Sequence, residues 1–343
     1  MCLKGAEKVQ KTKKDIKVHI NHDFCKRCEI CVKICPFDVL ATDPDGYPEV
    51  VAEDKCTACG LCETHCPDFA IWIEVDGKNK EHPAYPYLRM DDRMPNVWCP
   101  GCGIGMVFYS IIRAVKDLGI PKDKVAMVSG IGCTGRMPGY ADFNTLHTTH
   151  GRALAFSIGL KLANPELTVI TVLGDGDGLA IGGNHLIHAA RRNVDITAVL
   201  VNNFNYGMTG GQVSPTTPQG GYTTTSPYGN YEPDFDSCEL VKGAGANFVA
   251  RGTTFHITLT DQLIKKGLQT KGFSFIEVIS HCPTYYGRFN EMPDPFDMLN
   301  WQKKAVYRAG TTPREGRLPI GVIHTADHPD YMEILKQRTG MIK

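Results

Sequence analysis

Residues 168 to 212, TVITVLGDGDGLAIGGNHLIHAARRNVDITAVLVNNFNYGMTGGQ, constrain this chain more than any other stretch. Thr168 to Leu173 and Ile196 to Val201 are largely apolar without polar alternation, the pattern of parallel strands covered on both faces. Between them Leu179 to Asn193 has helical spacing. A strand, helix, strand unit of this kind belongs to an open parallel sheet, which binds ligands outside the carboxyl ends of its strands. Gly174, Asp175, Gly176 and Asp177 follow the first strand, and Asn202 and Asn203 end the second. Asp175 is a hard oxygen donor, Asn203 offers a neutral amide oxygen, and the glycines let a polyphosphate approach the backbone. Mg²⁺ prefers such a partial cage, with phosphates completing its octahedron. A lone Gly-Asp-Gly is more often a plain turn, and the pairing with Asn203 across the unit is what gives it weight.

That pairing resembles the thiamine diphosphate motif, in which an Asp, an Asn and a backbone carbonyl two residues beyond the Asn hold Mg²⁺ against the diphosphate. The resemblance assigns those roles to Asp175, Asn203 and Asn205. The continuation Asn205-Tyr206-Gly207-Met208-Thr209-Gly210-Gly211-Gln212 is similar to the β subunits of 2-oxoacid:ferredoxin oxidoreductases. It implies that Gly174, Gly176, Asp177, Tyr206, Gly207 and Thr209 also contact the cofactor.

The chain has 14 cysteines and no export signal, so a disulfide framework is disfavoured and metal or redox chemistry is the default. Cys25, Cys28, Cys31 and Cys35-Pro36 are matched, 31 positions on, by Cys56, Cys59, Cys62 and Cys66-Pro67. Zinc knuckles are the alternative, but zinc sites rarely use four cysteines so closely spaced and followed by proline. The spacing resembles bacterial two-cluster ferredoxins, in which the fourth cysteine of each run crosses to the other cluster. On that resemblance one 4Fe-4S cluster takes Cys25, Cys28, Cys31 and Cys66, and the other Cys56, Cys59, Cys62 and Cys35. Short apolar pieces at 18–20, 39–40, 49–51 and 70–75 suit the small strands of such a module.

Cys99 and Cys102 share a Cys-Pro-Gly-Cys turn ahead of a helix, Met106 to Leu118; alone they are consistent with zinc, a redox dithiol or part of a cluster. Cys133 follows the strand Lys124 to Ser129, and Cys282 follows the strand Phe273 to Ser280. Both strand ends lie on the edge expected for the phosphate site, so four thiolates can converge there. This looks like the proximal 4Fe-4S cluster of the same oxidoreductase β subunits, the third in the chain, with zinc the minority alternative.

His150, before the helix Ala153 to Ala163, is more often a cap or packed residue than a catalyst, but the family segment at this place lies near the thiazolium. The resemblance also implies that Arg136, three residues after Cys133, reads a distal carboxylate of the substrate; the plain alternative is an ion pair with Asp142 or a partner's acid. Ser214 to Pro233 reads as a long polar loop meeting another subunit. Helices are predicted over Cys238 to Gly245, Asp261 to Lys271 and Met298 to Tyr307, and a strand over Asn247 to Arg251, with no clear pattern beyond 307.

The expected organisation is a basic tail (1–17), a small α+β two-cluster ferredoxin module (18–77), a linker packed on the second domain (78–95), that second domain itself, a doubly wound α/β thiamine diphosphate domain (96–290), and a C-terminal extension (291–343). Zero formal net charge offers no general attraction to nucleic acid or anionic membrane. No apolar run approaches a membrane span, which places the chain in the cytoplasm. The resemblance implies oxidative decarboxylation of a 2-oxoacid, best matched to 2-oxoglutarate, with coenzyme A as co-substrate and an external ferredoxin as electron acceptor, or the reverse carboxylation. It also implies an α subunit carrying the pyrimidine-binding domain, in paired αβ units. Pyruvate or an arylpyruvate is the alternative substrate, and a purely electron-transferring iron-sulfur protein the alternative of another class.

Overall fold

The computed structural model describes residues 15–340; Cys2 and most of the basic run at 1–17 lie outside them. In the N-terminal module β1 (Ile16–Ile20) pairs antiparallel with β4 (Ile71–Val75), closing the module's two ends on each other. Between them, each cysteine run wraps a short helix, α1 (Ile30–Ile34) and α2 (Leu61–Thr64), and β2 (Leu40–Thr42) pairs with β3 (Pro48–Val50). The 31-residue repeat is also a repeat of backbone conformation. Positive φ recurs at Arg27 and Ala58, at Glu29 and Gly60, and at Asp38 and Phe69. Left-handed backbone at non-glycine residues costs of order 1–3 kcal/mol each and persists only where the surroundings impose it. Five such residues at matched places indicate loops shaped around a bound group.

The linker does pack on the second domain. Ala84 and Leu88 are buried in its core, Arg89 N donates to Tyr140 O at 2.9 Å, and Asp142 N donates to Tyr87 O at 2.8 Å. The main sheet has eight strands in the order β11-β12-β9-β10-β8-β7-β5-β6. These are β5 (Val125–Ser129), β6 (Asn144–His147), β7 (Thr168–Gly174), β8 (Thr197–Asn202), β9 (Phe248–Thr253), β10 (Ser274–Ile279), β11 (Val306–Arg308) and β12 (Leu318–Thr325). Strands β5 to β10 are parallel, and β12 runs antiparallel to β9. Helices α3 (Ile104–Asp117) and α8 (Ile257–Gln269) cover one face, with Val199, Val201, Ile276 and Val278 beneath them, and the one-turn α4 (Met137–Tyr140) lies between β5 and β6 in the chain. On the other face α5 (Ala153–Ala163), α6 (Gly183–Arg192) and α7 (Ser237–Ala244) cover Ala198, Leu200, Val249 and Phe275. Alternate residues of each strand are thus apolar on both faces, the doubly wound arrangement.

Three readings of the sequence are corrected. The helix expected over Leu179 to Asn193 opens as a wide π turn, Gly176–Ile181, before α6, because the Gly-Asp-Gly segment wraps the site before the helix settles. The helix expected over Met298 to Tyr307 is α9 (Pro295–Ala305), N-capped by Asp294, and Val306 already begins a strand. The sheet does not end near 290: β11 and β12 extend it from the C-terminal stretch, and α10 (Tyr331–Thr339) follows.

Candidate active site

A cavity opens at the carboxyl ends of β7 and β8. It is lined by Gly174, Asp175, Gly176, Asp177, Asn203, Asn205, Tyr206, Gly207, Thr209, His150 and Cys133, together with Ile131, Gly132, Thr134 and Met208. Each cofactor-contacting residue expected from the sequence is there, and so is His150. Arg136 is not. It ends the 3₁₀ turn Thr134–Arg136, which carries its exposed side chain away from the lining while Cys133 and Thr134 face inward. Its expected alternative partner, Asp142, is paired with Lys122 instead.

At the inner end three oxygens meet without a donor between them. Asn203 Oδ1 lies 2.9 Å from Asn205 O and 3.3 Å from Asp175 Oδ1. Three acceptors at such distances repel one another unless the Asn203 amide turns over or a cation sits between them, and a hard divalent ion satisfies all three at once. Asp175 is 2% exposed. Burial pushes its carboxyl up to about 6, opposed by hydrogen bonds from Ser214 and Thr216. Those two hydroxyls, 2.7 and 2.9 Å away, both meet Oδ2, so Oδ1 is the oxygen left for a metal. Neither hydroxyl was foreseen, since both come from a loop without periodicity.

Close approach of the backbone is built in. A Cβ on Gly176 would come within 2.2 Å of the Tyr206 ring, and one on Gly130 within 2.2 Å of the Asp177 carboxylate. Asp177 locks the far wall: its Oδ1 accepts from Ile131 N at 3.1 Å, Gly151 N at 2.8 Å and His150 Nδ1 at 2.6 Å. With Nδ1–H committed to Asp177, the imidazole presents Nε2 as its free nitrogen.

Twelve of the 14 cysteines fall into three quartets; Cys238 is buried apart from them, on α7, and Cys2 lies outside the described residues. Cys25, Cys28, Cys31 and Cys66 border one void of the N-terminal module, and Cys35, Cys56, Cys59 and Cys62 border the other. This is the crossed grouping expected from the ferredoxin spacing. In the second domain burial, reinforced by the nearby thiols of Cys282, Cys133 and Cys99, pushes the Cys102 thiol well up. Burial, reinforced by Cys282 and Cys99, pushes the Cys133 thiol up to about 12, a cost that a coordinated metal reverses by taking the thiolate. Among the described residues no group of three or more His, Cys, Asp or Glu is arranged to hold a single metal ion. This last quartet abuts the cavity: Cys133 lines it, and Cys282 Sγ lies 3.9 Å from Asn205 Oδ1.

Comparison with known proteins agrees with this geometry. The family described as thiamine pyrophosphate enzyme, C-terminal TPP binding domain, matches residues 130–278, and the 4Fe-4S dicluster domain family matches residues 17–67. The 2-oxoglutarate synthase subunit KorB of Methanothermobacter marburgensis is 48% identical, covering 77% of this chain and 95% of its own. KorB of Archaeoglobus fulgidus is 56% identical over 64% of this chain and 79% of its own. Among solved structures, the 2-oxoglutarate:ferredoxin oxidoreductase from Magnetococcus marinus with 2-oxoglutarate, coenzyme A and succinyl-CoA bound superposes with a TM-score of 0.67 at 33% identity, over 74% of this chain and 90% of that one. With a thiamine pyrophosphate-binding domain and a dicluster module in one chain, the protein belongs to the β subunits of the 2-oxoacid:ferredoxin oxidoreductases, the family that includes the KorB subunits of 2-oxoglutarate synthase.

Proposed function

We propose that this chain, with an α partner, converts 2-oxoglutarate and coenzyme A to succinyl-CoA and CO₂ in the cytoplasm, passing two electrons to external ferredoxin, and that it can run in reverse. The convergence of Asp175 Oδ1, Asn203 Oδ1 and Asn205 O beside Cys133 and Cys282 carries this reading, because it joins a diphosphate-bound metal to an electron acceptor.

Asp175, Asn203 and Asn205 would hold Mg²⁺, and Gly174, Gly176, Gly207 and Thr209 would let the diphosphate lie against the backbone. When bound, thiamine diphosphate supplies a carbon nucleophile for the substrate ketone and an electron sink as CO₂ leaves. His150, oriented by Asp177, offers Nε2 to a proton at the cavity wall. Cys99, Cys102, Cys133 and Cys282 would hold a 4Fe-4S cluster next to the reacting centre, making three clusters with the two of the N-terminal module. From there the backbone of Gly101 packs on Cys28: a Cβ at Gly101 would lie 3.3 Å from that of Cys28. The Cys25, Cys28, Cys31 and Cys66 quartet would thus hold the centre nearest to that cluster. The other contains exposed Cys59, so a cluster held there would be the one open to an outside carrier.

A single α/β domain of this size holds one half of a thiamine site. The α subunit would supply the pyrimidine-binding domain and the coenzyme A site, in paired αβ units. Arg136 stays exposed on this chain, and it reads a distal carboxylate only if the assembled mouth brings substrate to it. Assaying the co-purified αβ protein with 2-oxoglutarate, pyruvate, an arylpyruvate and 2-oxobutyrate tests the substrate. If the assembled mouth does bring substrate there, Arg136→Met should lower kcat/KM for 2-oxoglutarate by about one to two powers of ten, the value of a charge-assisted contact, and 2-oxobutyrate far less. No loss, or equal losses on both acids, would leave Arg136 a surface residue, and preference for pyruvate would overturn the substrate.

A further inference from the structure

Behind the cavity a buried polar chain crosses the carboxyl-terminal part of four neighbouring strands. Asp175 Oδ2 accepts from Thr216 Oγ1, which also lies 2.8 Å from Asn202 Oδ1. Asn202 Nδ2 donates to Glu277 Oε1 at 2.7 Å, and Glu277 Oε2 accepts from Arg251 Nε at 2.5 Å. Arg251 Nη2 donates to Asp236 Oδ1 at 2.5 Å, the carboxylate that also caps α7. Asp175, Asn202, Glu277 and Arg251 belong to the ends or last turns of β7, β8, β10 and β9, in the order those strands hold in the sheet. Glu277 and Arg251 are each 1% exposed.

A buried ion pair is weak evidence for stability, since apolar residues of similar volume serve a core as well, so its presence here asks for another role. We propose that Glu277 and Arg251 are positioning residues for the metal end of the cavity, acting through Asn202 and Thr216 to hold Asp175 with Oδ1 free. Thr216 sits in a loop with no helix or strand, and what fixes its hydroxyl beside Asp175 is Asn202. The single Thr216 proton is shared between Asp175 Oδ2 and Asn202 Oδ1, and Asn202 Oδ1 uses its other lone pair to accept from Phe204 N at 3.2 Å, so Asn202 sets where the shared proton lies. Glu277 anchors the Asn202 amide from the opposite side, and Arg251 anchors Glu277. The same chain clips the far end of the loop through Asp236, and Phe235 N closes it on Pro215 O at 2.8 Å.

The inference rests on Asp175 being the metal ligand of the proposed function. A double-mutant cycle on the co-purified αβ protein tests it, read as the Mg²⁺ concentration that half-saturates thiamine diphosphate retention in equilibrium dialysis, with iron content and Tm alongside. Thr216→Val should raise that concentration about tenfold or more, the usual effect of losing a group that orients a metal ligand, and Thr216→Ser should restore it. Glu277→Gln should shift it the same way, and adding it to Thr216→Val should change little further. If Glu277→Gln lowers only Tm, or if the two shifts multiply in the double variant, the inference is overturned. Should Glu277→Gln not fold, Asn202→Ala takes its place with the same outcomes, because it cuts the chain and leaves the ion pair. Asp175→Ala in the same dialysis separates the two levels. Unchanged Mg²⁺ dependence there would remove the metal site itself, whereas a loss there with a multiplicative cycle would remove only the role of Glu277 and Arg251.

Discussion

Asp175 is a buried carboxylate with no ion-pair partner among the described residues, held only by hydroxyl and backbone donors. Its carboxyl, raised from the ordinary 3.8 to about 6, keeps a proton in the metal-free fold that the unfolded chain has already released. That contribution to stability is present below about pH 4 and is lost as pH rises through about 6. Mg²⁺ reverses the preference, because it competes with the same proton. Mg²⁺ affinity should therefore be flat above about pH 6 and fall about tenfold per unit below it, measured by Mg²⁺ titration of diphosphate retention between pH 5 and 8. A flat profile would mean the carboxyl is already ionised without metal. Asp175→Ala should cost most of the Mg²⁺ and thiamine diphosphate while iron stays, and an unchanged vitamin content would sink the site. Asp175, Asn203 and Asn205 were legible because their spacing is fixed by one strand, helix, strand unit. Ser214, Thr216 and the direction of Arg136 were not: the first two are brought in by a loop whose path nothing local encodes, and a 3₁₀ turn decides where Arg136 points.

Between elements, the decisive contact is one lysine. Lys26 Nζ donates to Asp68 Oδ1 at 2.6 Å, to Asn96 Oδ1 at 2.8 Å and to Trp98 O at 2.8 Å, tying the loop before α1 to the turn that carries Cys99. Asp68 is buried, and burial already pushes its carboxyl up against the pull of Lys26. Lys26→Met strands that charge, a change that typically costs about 3–5 kcal/mol. Amides of 15–77 should then exchange hydrogen faster while those of β7 and β8 keep their protection; uniform protection would show the junction to be dispensable. The sequence displays β7 and β8 plainly because strands buried on both faces are largely apolar along their length. It hides β12, whose run LPIGVIHT contains Pro319 and Gly321, pairs on one side with the three-residue β11, and shifts register between Val322 and His324. It also hides β6, a half-exposed edge strand of four residues.

Across the whole molecule the quartets can be ordered, from the one at the cavity, through the one whose Cys28 meets Gly101, to the one with exposed Cys59, and the order makes a prediction that composition alone does not. Cys282 belongs to the quartet beside Asn205, and none of the eight cysteines of the N-terminal module is shared with it. Cys282→Ala should lower iron from about 12 to about 8 atoms per chain, at four per all-cysteine cubane. The two remaining centres keep their EPR signals, because their ligands and the pairing of β1 with β4 are untouched. The consequence for electron flow is directional. In the parent protein, substrate and coenzyme A should reduce the clusters of the module; in Cys282→Ala they should not, because the first acceptor is missing and the module lies beyond it. Dithionite or reduced ferredoxin, entering where Cys59 is exposed, should reduce the module equally in both proteins. Freeze-quench EPR after each reductant reads the two ends separately. Reduction of the module by substrate in Cys282→Ala would show that electrons bypass the Cys99, Cys102, Cys133 and Cys282 centre. Loss of all signals together would show that the quartets are not independent.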